Sequence, residues 1–500
     1  MRRWLRSAPG ARRTLATGYQ SIGSFHSQDV EELVRLPLSA YGAPPLPFAS
    51  AAFGDAALHA AAHTTFGADF RRHYLVDFEA WTFVNHGAFG ATLRPAFDLA
   101  AEWRRYAEAQ PLRYFDRDLL PHLAHAVRAS AEFVRCAPAE LVLCANATAG
   151  LNAAVRGAAR SAAAAGGTAS GSGARSGRRR VVLFDTAYGA VKTLAKRVCD
   201  ESSCSFTLAL AASPSLVLSD AAEPDAAWAR AWSDALRAAL DDADAAGEGA
   251  AIVVVDHVTS NTALALPLVR LAALCAERGV LLVVDGAHGA LCEPLDVRSL
   301  LDAGVFAYVT NTHKWLSAPK SAALLCVAEQ HHAHVTPAVL SHGANDGFLS
   351  SFVWDGARDY CAALTLSGVY SFWNAVGLER ARAHCDALAT EAAIELARAW
   401  RVGGATSDAE WVAAPPQPPL TAHCMRLIPL PRDIGGGGGR TSADAKAVQD
   451  ALHEQHRIEA PVKCIGGDLH VRISAHVYNE LADYERLAAA VTTIVAESDA

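Results

Sequence analysis

Uninterrupted apolar runs recur through the middle of the chain: VVLF at 181–184, AIVVV at 251–255 and VLLVV at 280–284. They do not alternate with polar residues, so each predicts a strand covered on both faces. Further strands are predicted in ELVLCANA (140–147), RVVLFDT (180–186), AAIVVVDHV (250–258), VLLVVDGAHG (280–289), VFAYVTNT (305–312) and SAALLCVA (321–328). Between them the apolar period lengthens to that of a helix. One helix is predicted from about Ala149, a second in YGAVKTLAKRVC (188–199), and a third in PLVRLAALCAERG (267–279), which closes on a glycine. VRSLLDAG (297–304) predicts a short fourth. Strand–helix alternation predicts an α/β fold with a mostly parallel sheet between helical layers. In such sheets ligands sit at the carboxyl ends of the strands. The segments NAT, DTAYG, DHVTSNT, DGAHG and NTHK all fall there.

Composition narrows the class. The 500 residues exceed one ordinary core, and an apolar fraction of 51% supports a globular chain. A net charge of −8 and no basic stripe with interleaved aromatics point away from nucleic acid. No apolar run reaches the length needed to span a bilayer. The 11 cysteines are scattered without a CxxC pair, so reduced thiols are expected rather than a disulfide frame or zinc site. The histidines of HEQH (453–456) are three apart, not four, and no metal is expected. HHAH (331–334) is expected as a solvated loop. Residues 1–28 contain no acid but several arginines, with Arg2, Arg6 and Arg13 on one face of a helix turning about 100° per residue. That fits a transit peptide, mitochondrial ahead of plastid, with the cytoplasm as the alternative. Residues 157–180 are low-complexity and expected as a surface insertion; GGGGG (435–439) and PPQPP (415–419) are expected as loops.

The strand ends carry the candidate chemistry. Asp285 follows four apolar residues, where a carboxylate is desolvated unless a cation meets it. His288 lies in the same turn, and Lys314 follows on a neighbouring strand end. Thr148 stands by a predicted helix start, which favours an anion such as phosphate. Singly, each has a plain reading: a helix-capping aspartate, a satisfied buried histidine, a solvated lysine. Together they supply an amine for an aldehyde, a partner for a pyridine nitrogen and a phosphate cradle. Those are the attachment points of pyridoxal 5′-phosphate.

The set DGAHG…THKW, with FVNHGAFGA (83–91), CANATAGLNA (144–153), DHVTSNTALALPL (256–268), WDGARDY (354–360) and HVRISAHVYNE (470–480), resembles the class V aminotransferase superfamily of fold-type I pyridoxal-phosphate enzymes. The branch it resembles holds isopenicillin N epimerase-like proteins, L-cysteine desulfhydrases and ergothioneine-pathway C–S lyases, over roughly residues 75–495. The resemblance implies that Lys314 forms the Schiff base and shuttles the proton. It implies that Asp285 pairs the pyridine nitrogen and His288 contacts the ring hydroxyl. Thr148, the N–H of Ala149 and His313 would hold the phosphate, and Tyr188 would stack on the ring. Asn85 and His86 would line the substrate side, and Arg472 would clamp the substrate carboxylate.

The implied architecture is a large domain at 76–340 with a mostly parallel seven-stranded sheet, and a smaller α+β domain at 341–500. Residues 29–75 would pack on the smaller domain. A homodimer is implied by WDGARDY, which resembles a loop reaching the neighbouring subunit's phosphate. Ala357 stands where the branch carries a threonine, removing a hydroxyl from that contact. Among the reactions open to this cofactor, the resemblance favours β-elimination at a C–S bond of a sulfur-containing amino acid. Epimerisation, with His86 or Tyr188 as second base, is the first alternative. Desulfuration through Cys464, transamination and an inactive scaffold are the others.

Overall fold

A computed structural model describes residues 29–167, 179–201, 206–214, 224–402, 421–434 and 440–498. Its centre is a seven-stranded sheet built from β1 (Leu141–Cys144), β2 (Arg180–Phe184), β3 (Thr207–Ala211), β4 (Ala250–Asp256), β5 (Leu281–Asp285), β6 (Val305–Asn311) and β7 (Ala323–Val327). The spatial order is β1-β7-β6-β5-β4-β2-β3. The run from β3 to β6 is parallel, and only β7 opposes its two neighbours. Every residue of β4, β6 and β7 is buried, as their unbroken apolar sequence requires.

The crossovers are α1 (Ala147–Gly167), α2 (Gly189–Glu201), α3 (Pro224–Ala245), α4 (Leu268–Arg278) and α5 (Val297–Asp302). α4 ends as its sequence predicts, on Gly279 in the left-handed region at φ 62°. Three features differ from the sequence reading. α1 begins at Ala147 rather than Ala149, because the Asn146 side chain accepts from the Ala149 N–H at 2.9 Å and supplies the cap. The first eleven residues of the low-complexity segment, 157–167, continue α1, since alanine is the strongest helix former; 168–178 lie outside the described residues. The edge strand β3 and helix α3 are absent from the sequence reading; β3 is partly exposed, while α3 carries Trp228, Trp232, Leu236 and Leu240 at helical spacing on its buried face. The segments 1–28, 415–419 and 435–439 also lie outside the described residues.

A second, antiparallel sheet of order β9-β10-β8 comes from β8 (Met425–Pro429), β9 (Val462–Ile465) and β10 (Asp468–Ser474). α6 (Leu378–Trp400) packs on β8 and on α8 (Leu481–Ser498), while α7 (Ser442–His456) lies on β9. α7 is opened by a capping box in which Thr441 and Asp444 bond each other's backbone N–H. His453 of the HEQH segment pairs with Glu459. The N-terminal segment, expected on the smaller domain, touches both lobes. Helix Asp29–Arg35 lies on helix Leu119–Val134, whereas Arg71 holds Asp483 through two bonds of 2.9 and 3.0 Å.

Candidate active site

The carboxyl ends of β4, β5 and β6, with the start of α1, enclose an open cleft with ≈ 790 Å³ of empty space. Thr148, Tyr188, Asp256, Asp285, His288, His313 and Lys314 all line it. A parallel sheet dictates this placement: each strand ends on the same edge and its last polar side chains turn into one crevice. Asp285 closes β5, and its Oδ1 accepts from the Ala287 N–H at 3.0 Å. Burial raises its carboxyl above the ordinary range, with the Ala287 N–H and Lys314 opposing.

Lys314 Nζ lies 2.9 Å from His288 Nε2. Burial lowers the amine to about 8, opposed by Asp285 and reinforced by Arg472. His288 is held well below its ordinary value by burial, Lys314 and Arg472. Its Nδ1 accepts from the Trp315 indole N–H at 3.3 Å. The backbone that carries Lys314 is tied residue by residue. The Lys314 carbonyl accepts from His86 Nε2 at 2.9 Å, Trp315 O from His476 Nε2 at 3.1 Å, and Leu316 O from Trp373 Nε1 at 2.8 Å. Ser317 O accepts from the Leu93 N–H at 2.9 Å.

His86 therefore lies behind the lysine, not on the substrate side. It is fully buried, stacked on His476 at 3.9 Å, and its Nδ1 meets the Tyr478 hydroxyl at 2.7 Å. Gly90, in the same loop, sits at φ +68°, and a Cβ there would meet the His313 carbonyl oxygen at 1.9 Å. Only glycine lets the loop pass the lysine turn at this distance.

Arg472 is 3% exposed in the centre of β10. It donates to the Ser260 carbonyl and, at 3.2 Å, to Asn85 Oδ1. Its Nε has no partner among the described residues, and burial lowers the guanidinium to about 10. It is a buried cation beside two neutral acceptors, with no carboxylate bonded to it among the described residues.

Sequence reasoning did not assign Trp315, Asn146, Asn311 or Asp256. Trp315 stood beside the lysine in the quoted motif, and Asp256 opened the DHVTSNT segment. Asn311 Oδ1 accepts from the Ala147 N–H at 2.9 Å and joins β6 to the start of α1. The Ala149 N–H, expected on a phosphate, is bonded to Asn146 in this structure. Cys464 lies within β9, its thiol donating to the Arg440 carbonyl at 3.3 Å.

The class-V aminotransferase family model matches residues 231–401. A putative L-cysteine desulfhydrase 1 from Oryza sativa subsp. japonica is 30% identical over 441 residues, covering 83% of each chain. The chain belongs to the class-V aminotransferase family. An isopenicillin N epimerase from Amycolatopsis lactamdurans is 28% identical, covering 82% of this class-V chain and 94% of its own. Among solved structures, a cystine C–S lyase in complex with cysteine persulfide has a TM-score of 0.60 at 18% identity, over 82% of this chain and 97% of that one. A cysteine desulfurase from Thermococcus onnurineus NA1 has a TM-score of 0.62 at 17% identity, over 87% and 100%. The fold is that of the fold-type I pyridoxal-phosphate enzymes, and pyridoxal 5′-phosphate is the cofactor of this class-V protein. The cleft fits it: a buried amine, a buried carboxylate with no cation bonded to it among the described residues, and a helix start converge there. The Nδ1 of His313 is a further buried group without a partner among the described residues.

Proposed function

We propose that this class-V protein is a C–S β-lyase acting on cysteine or a cysteine-derived amino acid. The observation that carries the reading is Arg472. Its buried guanidinium, with no carboxylate bonded to it among the described residues, lies near enough to Lys314 to lower the amine. An amino acid answers both groups, its carboxylate on Arg472 and its Cα facing Lys314.

Lys314 would carry the cofactor, Asp285 would face the pyridine nitrogen and His288 the ring hydroxyl. Thr148 and His313 would hold the phosphate, with Tyr188 over the ring. Bound pyridoxal phosphate supplies an aldehyde carbon for amines and a ring that accepts the electron pair left at Cα. Asp285 would keep the ring nitrogen protonated. Arg472 and Asn85 orient the substrate carboxylate, which fixes which Cα bond is broken. Once the substrate amine has displaced it, Lys314, whose free amine burial lowers to about 8, would be able at mildly alkaline pH to take the α-proton. Loss of the sulfur substituent from Cβ then completes elimination, giving pyruvate and ammonia after hydrolysis.

The relatives' names, cysteine desulfhydrases among them, support elimination. A two-base epimerase requires a base opposite Lys314; His86 has both nitrogens bonded elsewhere, which leaves Tyr188, in the cleft lining, as the candidate for that base. A desulfurase needs a thiol free to reach the substrate, and Cys464 is held in a strand. A homodimer is proposed on the resemblance of WDGARDY, whose Arg358 is bonded here to Asp355 at 2.5 Å and lies 4.0 Å from the Tyr360 ring centre. No helix among the described residues is long and apolar enough to cross a membrane. One relative from Arabidopsis thaliana is named as chloroplastic, which favours the plastid over the mitochondrion as destination.

Incubation of purified protein with L-cysteine, and separately with a cysteine sulfoxide, tests the reading. Pyruvate with sulfide or a sulfenate product supports the lyase. Alanine with persulfide supports a desulfurase, inverted substrate without pyruvate supports an epimerase, and an unchanged cofactor spectrum across an amino-acid panel supports an inactive scaffold.

A further inference from the structure

β4 and β5 end together, with Asp256 and Asp285 in direct register. Register partners on parallel strands point to the same side of the sheet, with backbones about 4.8 Å apart. Each is 5% exposed, and both line the cleft. The Asp256 carboxylate receives no hydrogen bond from any other described residue. Two carboxylates are thus held side by side away from water. The groups that face them are Lys314 beyond β6, Lys192 from α2, and the neutral Tyr308 of β6. Lys192 donates its Nζ to the Asp185 carbonyl, and neither amine is hydrogen-bonded to the pair among the described residues. Two amines that are not bonded to the pair, one of them partly neutralised, do not offset the desolvation and mutual repulsion of two adjacent buried carboxylates, so one proton stays with them.

We propose that Asp256 and Asp285 form a carboxylic acid–carboxylate pair that stores one proton in the apoprotein and passes it to the pyridine nitrogen when pyridoxal phosphate enters. The stored proton would pass from Asp256 to Asp285 as Asp285 delivers one to the ring nitrogen, so one carboxyl O–H bond breaks and one ring N–H bond forms. The pair goes from one negative charge to two while the ring goes from neutral to positive, so the cleft gains no net charge. Burial and the neighbouring Asp285 both push the Asp256 carboxyl well up, and Lys192 and Lys314 oppose them only in part. Asp256 is a positioning residue for the proton, and Asp285 remains the group that faces the ring.

Asp256→Asn tests this, because an amide has the shape of a protonated acid but stores no transferable proton. Proton uptake on cofactor binding is read by calorimetry of the apoprotein in buffers of different protonation heat. At neutral pH the variant should draw about one proton more from solvent than the wild type. The difference should vanish as pH rises and the wild-type pair empties before binding. Equal uptake at neutral pH, or a difference that persists at high pH, overturns the proposal. Should the variant not fold, infrared difference spectra of the wild type decide: the protonated-carboxyl band is lost on cofactor addition if the pair donates, and retained if it does not. Borohydride trapping separates the two levels, since a wild-type adduct absent from Lys314 overturns the cofactor seat and the pair with it.

Discussion

His288 stands between Lys314 and Trp315, 2.9 Å from the amine at Nε2 and 3.3 Å from the indole N–H at Nδ1. An indole nitrogen only donates, so Nδ1 accepts and the imidazole proton lies on Nε2. That proton points at Lys314 Nζ, an arrangement made with the amine in its neutral form. Capture of pyridoxal phosphate by the apoprotein should therefore accelerate as pH rises, with a midpoint at about 8, and level off above it. Trp315→Phe frees His288 to accept from the ammonium, which stabilises the charged form. The midpoint of cofactor capture, followed by stopped-flow absorbance, should move upward in that variant.

Arg472→Met removes a buried cation without a carboxylate partner. The apoprotein should melt at a higher temperature than the wild type, while amino-acid affinity falls by at least 10²-fold, about 3 kcal/mol. Arg472→Lys should fail to restore binding, since an ammonium cannot reproduce the two-pronged contact. Thermal melts and spectral titration with L-cysteine read the two effects separately.

Replacing His86 tests its place behind the lysine. His86→Ala loses the bond to the Lys314 carbonyl and the stack on His476, and should cost about 2–4 kcal/mol of stability. A base in the reaction would behave differently, with turnover falling while denaturant unfolding stayed at the wild-type midpoint.

Gly90→Ala puts a Cβ 1.9 Å from the His313 carbonyl in a left-handed backbone. The turn carrying His313 and Lys314 must shift, at about 1–3 kcal/mol or more. Cofactor occupancy, measured by absorbance above the protein band, should drop along with the melting temperature.

The central strands were legible because burial on both faces writes an unbroken apolar run, and the cleft was legible because each run ends in polar residues. Asp285, His288 and Lys314 share the cleft as their strand-end positions required. The short helix 297–302 was recoverable for a similar reason, with Asp296 accepting from the Ser299 N–H at its start. What stayed hidden depends on distance in sequence. Trp315 adjoins Lys314, but its partner is 27 positions away. His86 meets Lys314 across 228. Asp256 gave no local signal of pairing because its neighbour belongs to the next strand. The alanine-rich segment misled in the opposite sense: low complexity hid a helix whose Gly157 packs where a Cβ would meet Val335 at 2.7 Å.

Four consecutive carbonyls, from Lys314 to Ser317, are each held by a different part of the chain: His86, His476, Trp373 and Leu93. The backbone beneath the amine is a bench, and the only freedom left to the lysine is rotation within its own side chain, which is fast. Changes in what the protein does to its substrate are therefore written most easily on the outer wall of the cleft, where Phe89 is 76% exposed. Substitutions there leave the bench untouched. A library confined to that wall should alter which group leaves Cβ while preserving the fold and the seat of the cofactor, and one directed at the bench should lose both together.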